Sequence, residues 1–343
     1  MRPSRHARTT ALTCIFFLLF PSPHPPAGLR AQEGGPGGTL VVVNKGAASA
    51  SIVDVATGRT IAVLPTGEGP HEVAISSDGR TAVVTDYGAR DPGRTLTVLD
   101  VPGVAVLRTI DLDPHLRPHG IGFLPGDREV AVTSEASGHV LRVDVASGEI
   151  REALATEQAG SHMLALPSSA ARVWTSNAGD DTVTEIDLET GVTGRILEVP
   201  PTPEAIGVTP DGAEVWVGSN SEGTVSVIDA ESGSVTRALE GFAWPYRTLV
   251  TGDARLVLIP DLRGERLVVV DREGRRELRR LSFPGAAPQG VAVTADGRTA
   301  FLSLSALDRV AVVDLESGEV VGELQAGRGP DGLAWSPLEL DAP

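Results

Sequence analysis

A short apolar segment ending in aspartate recurs seven times at nearly constant spacing, and it constrains the fold more than any other feature. It reads SIVD at 51–54, TVLD at 97–100, LRVD at 141–144, TEID at 184–187, SVID at 226–229, VVVD at 268–271 and AVVD at 311–314. The aspartates are Asp54, Asp100, Asp144, Asp187, Asp229, Asp271 and Asp314, separated by 46, 44, 43, 42, 42 and 43 residues. A fixed period of this size is the mark of a repeat architecture.

Each period predicts four short strands. One example is 205–209 (AIGVT), 214–219 (EVWVGS), 224–229 (TVSVID) and 234–239 (SVTRAL), joined through Pro210-Asp211-Gly212 and Glu231-Ser232-Gly233. Val, Ile and Thr alternate with period two, and no segment holds a helical apolar period for more than about two turns. Glycine at the turns supplies positive φ. Seven such units predict an all-β fold, a seven-bladed β-propeller of four-stranded antiparallel blades. A solenoid would need polar caps at its ends. Here the ends complement each other: 332–336 (GLAWS) matches a first strand, 39–44 (TLVVVN) a second, 51–55 a third and 60–64 a fourth. Closure by one C-terminal and three N-terminal strands would remove the exposed edges. The expected domain is 39–337, with a C-terminal tail at 338–343.

Residues 1–31 read as a targeting segment. Arg2, Arg5 and Arg8 precede an apolar stretch at 11–20, a Pro-rich stretch and Leu29-Arg30-Ala31, the three-part pattern of a secretory signal peptide. The apolar stretch is shorter than the roughly 20 residues that span a bilayer. Residues 32–38 form a flexible leader. The segment holds four arginines, no acid and Cys14, the sole cysteine. Its removal leaves 25 basic and 45 acidic side chains, a net charge of −20 against −16 for the full chain, and no thiol. The expected protein is exported, periplasmic or extracellular, monomeric, without disulfides and without nucleic acid as a partner.

The segments Val42-Val43-Asn44, 51–58 (SIVDVATG) and 69–79 (GPHEVAISSDG) resemble the YVTN-type β-propeller repeat, and the resemblance covers essentially all of the chain after residue 38. It implies the propeller fold. For function it points several ways: surface-layer proteins, periplasmic binding proteins, and lactonase-like or cofactor-enzyme subunits. Two turns depart from the pattern, Thr251-Gly252-Asp253 and Pro167-Ser168-Ser169. The family also implies that the fourth-to-first-strand loops open round the channel mouth, where ligands bind.

In register, each innermost strand begins with His71, His119, His162, Glu204, Tyr246, Gln289 or Asp331, after a proline in every repeat but one. Of five histidines beyond residue 31, three share this position in consecutive repeats. Imidazoles with a carboxylate suit a divalent or transition metal, and His71, His119, His162 and Glu204 are the candidate ligands. The same groups suit general acid–base chemistry, and Pro-His-Gly is also ordinary repeat sequence. The second-strand exits add Asn44, Lys45, Asp86, Tyr87, Glu135, Asn177, Asn220 and Asp261. Asp86, Glu135 and Asp261 are expected to favour a cation. Trp174 and Trp216 occupy matched second-strand positions and read as inter-blade core, while Trp244 is a candidate aromatic wall beside Tyr246. Arg272, Arg275, Arg276, Arg279 and Arg280 fall on the outer rim. The seven periodic aspartates read as turn caps. Phosphate-loop, Gly-x-Ser-x-Gly and Cys-x-x-Cys motifs are absent from the sequence. The functional expectation is a small ligand, metal or envelope protein bound at the channel mouth. The alternatives are a metal- or His-dependent enzyme (lactonase-, lyase- or oxidoreductase-like) and an architectural envelope protein.

Overall fold

A computed structural model describes residues 36–340. The expected signal segment, the first part of the leader and the last three residues of the tail lie outside the described residues. Among the described residues, 28 strands form seven four-stranded antiparallel sheets. Each sheet runs from an innermost strand to an outermost one, and the innermost strands pack side by side round a channel. We number the blades from that containing Asp54 to that containing Asp314. No helix of the described residues is long and apolar enough to cross a membrane.

The ring closes as the sequence predicts. Pro330–Ser336 is the innermost strand of blade one and pairs antiparallel with Thr39–Asn44, matching Leu333 to Val42 and Ser336 to Thr39. Ser49–Asp54 and Arg59–Pro65 complete that blade. The four strands of the example repeat are Pro203–Val208, Glu214–Ser219, Thr224–Asp229 and Val235–Glu240, within two residues of expectation.

Burial follows strand order. Val41 and Val43, fully buried on the second strand of blade one, pack with Ile52, Val84 and Leu99 of blades one and two. Trp174 and Trp216 are fully buried and each packs on the next blade. Trp174 meets Ile206 and Val217, and Trp216 meets Val257 and Ile259. Fourth strands face solvent, so Arg276–Ser282 shows only Leu281 to the core.

Six of the seven periodic aspartates act as turn caps, while Asp271 pairs with Arg276. Asp54 accepts from the Ala56 and Thr57 amides, Asp187 from Glu189 and Thr190, and Asp314 from Ser317. Each carboxylate holds its own third-to-fourth-strand turn. Four of the first-to-second-strand turns use another device, a Ser or Thr hydroxyl donating to an aspartate two residues on, as in Ser76 to Asp78, Thr209 to Asp211 and Thr294 to Asp296. Thr251 to Asp253 repeats it at 2.6 Å, so this apparent departure keeps the turn. Ala254 there takes φ +56°, where Gly79, Gly212 and Gly297 stand in the other three.

Candidate metal centre at the channel mouth

Two consecutive residues stand at the exit of each second strand and do different work; at 86 and 87, where the strand continues through both, successive side chains point to opposite faces. The first is buried between strands. Asn44 donates to Ser49 and Ser51 and accepts from the Gly327 amide. Asp86 accepts from Thr95, Thr97 and the Gly67 amide. Asn177 donates to Thr182 and Thr184 and accepts from Ser161. Asp261 takes the Ala243, Trp244 and Gly264 amides and pairs with Arg266. These four are latches tying the second strand to the third and to the preceding loop. The expectation that Asp86 and Asp261 add negative charge to the ring is therefore corrected, because both carboxylates are engaged inside their blades. Burial pushes the Asp86 carboxyl up to about 6, against the Thr95, Thr97 and Gly67 hydrogen bonds.

The second residue of the pair reaches the ring in three blades. In blades one to three it is Lys45, Tyr87 and Glu135, and each meets the ring. The Lys45 ammonium is 3.7 Å from Asp331. The Tyr87 ring lies 4.5 Å from His71 and 5.1 Å from His119, edge to face. Glu135 Oε2 accepts from the Tyr87 hydroxyl at 3.1 Å and lies 2.9 Å from His162 Nδ1. Arg117 caps the outer side of Tyr87, 4.7 Å from its ring centre.

The four ring residues of blades one to four form a continuous row. Asp331 Oδ2 is 2.9 Å from His71 Nδ1, a close contact poorly aligned for a hydrogen bond. The His71 and His119 rings are 4.7 Å apart, and those of His119 and His162 are 4.0 Å apart. His119 Nδ1 faces the Met163 sulfur at 3.1 Å. The row is tight because Gly120 and Gly332 follow two of its members. A Cβ at Gly120 would stand 2.5 Å from the Leu164 nitrogen, and one at Gly332 2.5 Å from the His71 carbonyl. Small residues here let the innermost strands converge, so seven-fold spacing does not keep the histidines apart.

One ligand atom from each of His119, Glu135 and His162 lies within 4.8 Å of the other two. Burial lowers the His119 pKa well below its ordinary value, and His162 and His71 add to the effect. Burial also lowers His71, partly offset by Asp331. Both imidazoles are therefore neutral near pH 7. Burial would raise Glu135, but the hydrogen bond and charge of His162 and the Tyr87 hydroxyl outweigh it and hold it ionised. Burial and Glu135 push the Tyr87 phenol up to about 12, so it stays a donor.

The remaining ring residues fall elsewhere. Tyr246 is buried and its hydroxyl donates to Asp331 at 3.1 Å, reaching past blade seven. Glu204 is half-buried and stands outside the His119, Glu135 and His162 group. Gln289 is half-buried, and its buried Oε1 has no partner. Trp244 stacks under Arg263, 3.8 Å from the guanidinium. The basic run ties the outer rim: Arg272 and Arg275 both pair with Glu214, and Arg279 donates to the Glu316 and Ser317 carbonyls.

Blade six departs from the expected register. Its innermost strand is only Leu249–Val250, with Tyr246 and Arg247 ahead of it and an isolated bridge at Pro245. In blades two, three, four and seven a hydroxyl on the second strand accepts the amide after the ring residue: Thr85, Thr133, Ser176 and Ser303. In blade six that position is Pro260, and in blades one and five it is Val43 and Gly218, which also lack a hydroxyl although their innermost strands run the full length. Arg247, ahead of the shortened strand, pairs with Glu72 of blade two. Arg247, Glu72 and Arg117 escape a reading confined to the ring position. The signal for the first two was present, since Gly120, Gly290 and Gly332 occupy the position held by Glu72 and Arg247.

Comparison with protein-family models gives no match. Comparison with curated proteins also gives none. Among solved structures, the chain is similar to Kuenenia stuttgartiensis hydrazine synthase, with a TM-score of 0.71 and 17% identity over 81% of this chain and 92% of that one. It is also similar to a functionally unknown protein from Desulfotomaculum acetoxidans, with a TM-score of 0.72 and 15% identity over 89% of this chain and all of that one. At these identities the likeness establishes the propeller fold.

Proposed function

We propose that this chain is an exported YVTN-type propeller that binds a divalent transition-metal ion at its channel mouth through His119, His162 and Glu135. The observation that carries the reading is the convergence of those three ligand atoms within 4.8 Å of one another. Two imidazoles and one carboxylate form the donor set of sites that keep positions open for a further ligand. Ligand atoms about 2.1 Å from a shared ion sit roughly 3.4 Å apart in tetrahedral geometry, so small side-chain rotations close the site. The low pKa of His119 leaves its nitrogen free of a competing proton. The Tyr87 hydroxyl orients the Glu135 carboxylate, the supporting role that outer partners give to metal ligands. Metal analysis after equilibration with Zn²⁺ and gel filtration tests the reading. One ion per chain is expected, lost in Glu135→Gln and His162→Ala and kept in Glu204→Gln. A metal-free wild type, or equal loading in all variants, overturns it.

A second reading has its own support. The Tyr87–Glu135–His162 chain, with contacts of 3.1 and 2.9 Å, is a carboxylate-oriented imidazole of the kind that serves as a general base. Metal-independent hydrolysis of simple lactones, abolished by His162→Ala, would favour it over the metal reading.

A further inference from the structure

Two histidines of the described residues stand outside the ring row and meet each other on the mouth face. His115 lies in the loop 112–117 that leads into blade three, and His139 opens the third strand of that blade. Their ring centres are 5.2 Å apart, at 61°. The residue matching His139 is Ser49, Thr95 or Thr182 in blades one, two and four, and each bonds to the Asn or Asp latch of its blade. Blade three has Ser134 as its latch, which donates to the Leu116 carbonyl instead.

The hydrogen bonds of this blade fix where both imidazoles carry their protons. Ser134 spends its hydrogen on Leu116, so it accepts from Ser137 at 2.7 Å. Ser137 has then spent its own, and its hydroxyl oxygen accepts from His115 Nδ1, 3.1 Å away. His139 Nδ1 faces the Ser137 carbonyl, which can only accept. Both rings therefore hold a proton on Nδ1 and, when neutral, keep a lone pair on Nε2. Both residues are half-buried, and neither Nε2 has a partner among the described residues or is sealed from solvent. Donation of one ring nitrogen to a protein acceptor is how metal-binding imidazoles are held while the other binds the ion. Burial and His139 lower the His115 pKa, partly offset by Asp113, so little proton competes for that ring near pH 7. Two imidazoles sharing one tetrahedral ion through bonds of about 2.1 Å place their ring centres about 5.3 Å apart. The pair already stands at that separation.

We infer that His115 and His139 form a second metal site, for a divalent transition-metal ion held by both Nε2 atoms with water in its remaining positions. Cu²⁺ is the ion it binds most tightly, because affinity at imidazole nitrogen peaks there among the first-row divalent metals. The site shares no ligand with the channel-mouth centre and stands without it. Two protein ligands hold an ion less firmly than three, so this ion leaves on gel filtration and is read at equilibrium. The test is equilibrium dialysis against Cu²⁺ of Glu135→Gln with His162→Ala, which removes two of the three channel-mouth ligands. One Cu²⁺ per chain is expected, with two imidazoles in its electron spin-echo spectrum. Adding His115→Ala or His139→Ala should weaken binding more than about tenfold, and adding Ser137→Ala, which removes the acceptor that orients His115, about tenfold. Circular dichroism should stay unchanged in all three, since both rings are partly exposed. A double variant that binds no Cu²⁺, a spectrum with fewer than two imidazoles, or unchanged affinity in any of the three additions overturns the inference. A wild type that binds one ion, lost with His162→Ala and kept with His115→Ala, overturns it while leaving the channel-mouth centre standing.

Discussion

Asp86→Asn should stabilise the protein, and by an amount that depends on pH. The Asp86 carboxylate is buried beneath the channel mouth with three hydrogen bonds but no counter-charge in contact, and burial raises its pKa from 3.8 to about 6. Because the folded-state value is raised, the group favours folding fully below the unfolded pKa, and that contribution is lost as pH rises through about 6. A shift of about two units corresponds to roughly 3 kcal/mol of penalty at pH 7.5, at 1.36 kcal/mol per unit. At pH 5 the folded carboxyl is mostly protonated while the unfolded one is mostly ionised, so about half the penalty is present. Asparagine fits the same place, as the native latches show. Asn44 and Asn177 occupy the equivalent position, with the amide nitrogen donating to two hydroxyls of the third strand and the oxygen accepting from the preceding loop or strand start. Chemical denaturation of wild type and Asp86→Asn at pH 5 and 7.5 gives the comparison. The variant should be more stable by about 3 kcal/mol at pH 7.5 and by about half that at pH 5. A variant less stable than wild type at both values, or a gap that does not change with pH, would refute the reasoning.

Three further outcomes follow from the same geometry. In blade five the latch position is Ser219, which donates to the Pro200 carbonyl, and the buried hydroxyls of Thr224 and Ser226 have no partner. Ser219→Asn should supply both and stabilise by about 1–2 kcal/mol in a thermal melt, and a destabilised variant would show that the site has no room. Gly120→Ala would drive a Cβ to 2.5 Å from the Leu164 nitrogen, so it should cost about 1–3 kcal/mol and weaken metal binding by spreading His119 from His162. Equal stability and equal affinity would contradict the close approach of those strands. Deleting 330–343 removes the innermost strand of blade one and uncovers Leu40 and Val42, so near-ultraviolet circular dichroism should collapse and the chain should aggregate on gel filtration. A folded monomer would argue against closure by that strand.

The fold was legible because repetition multiplies a weak signal. A single SVID segment is ambiguous, but seven at one spacing leave few alternatives, and the strand missing at one terminus is supplied at the other. The site was legible in part. His71, His119 and His162 stand out by register alone, and the structure does bring their rings into one row. Which carboxylate joins them was not legible. Glu204 has the matching register, yet Glu135 makes the contact, because it ends a second strand on the channel side and meets the next blade. Neighbouring positions 86 and 87 look equally exposed in a sequence, and only strand alternation sends Asp86 inward and Tyr87 over the ring. Arg247 reaches Glu72 from a blade whose innermost strand shortens to Leu249–Val250, and the ring position alone carries no sign of that shortening.

The most direct test of the metal centre is anomalous diffraction from crystals grown with Zn²⁺ or Co²⁺ and measured at the absorption edge of the metal. The account predicts one dominant peak at bonding distance from His119, His162 and Glu135, with the Tyr87 hydroxyl still on the carboxylate. A peak at Glu204 or on the outer rim, or none at the channel mouth at saturating metal, would contradict it.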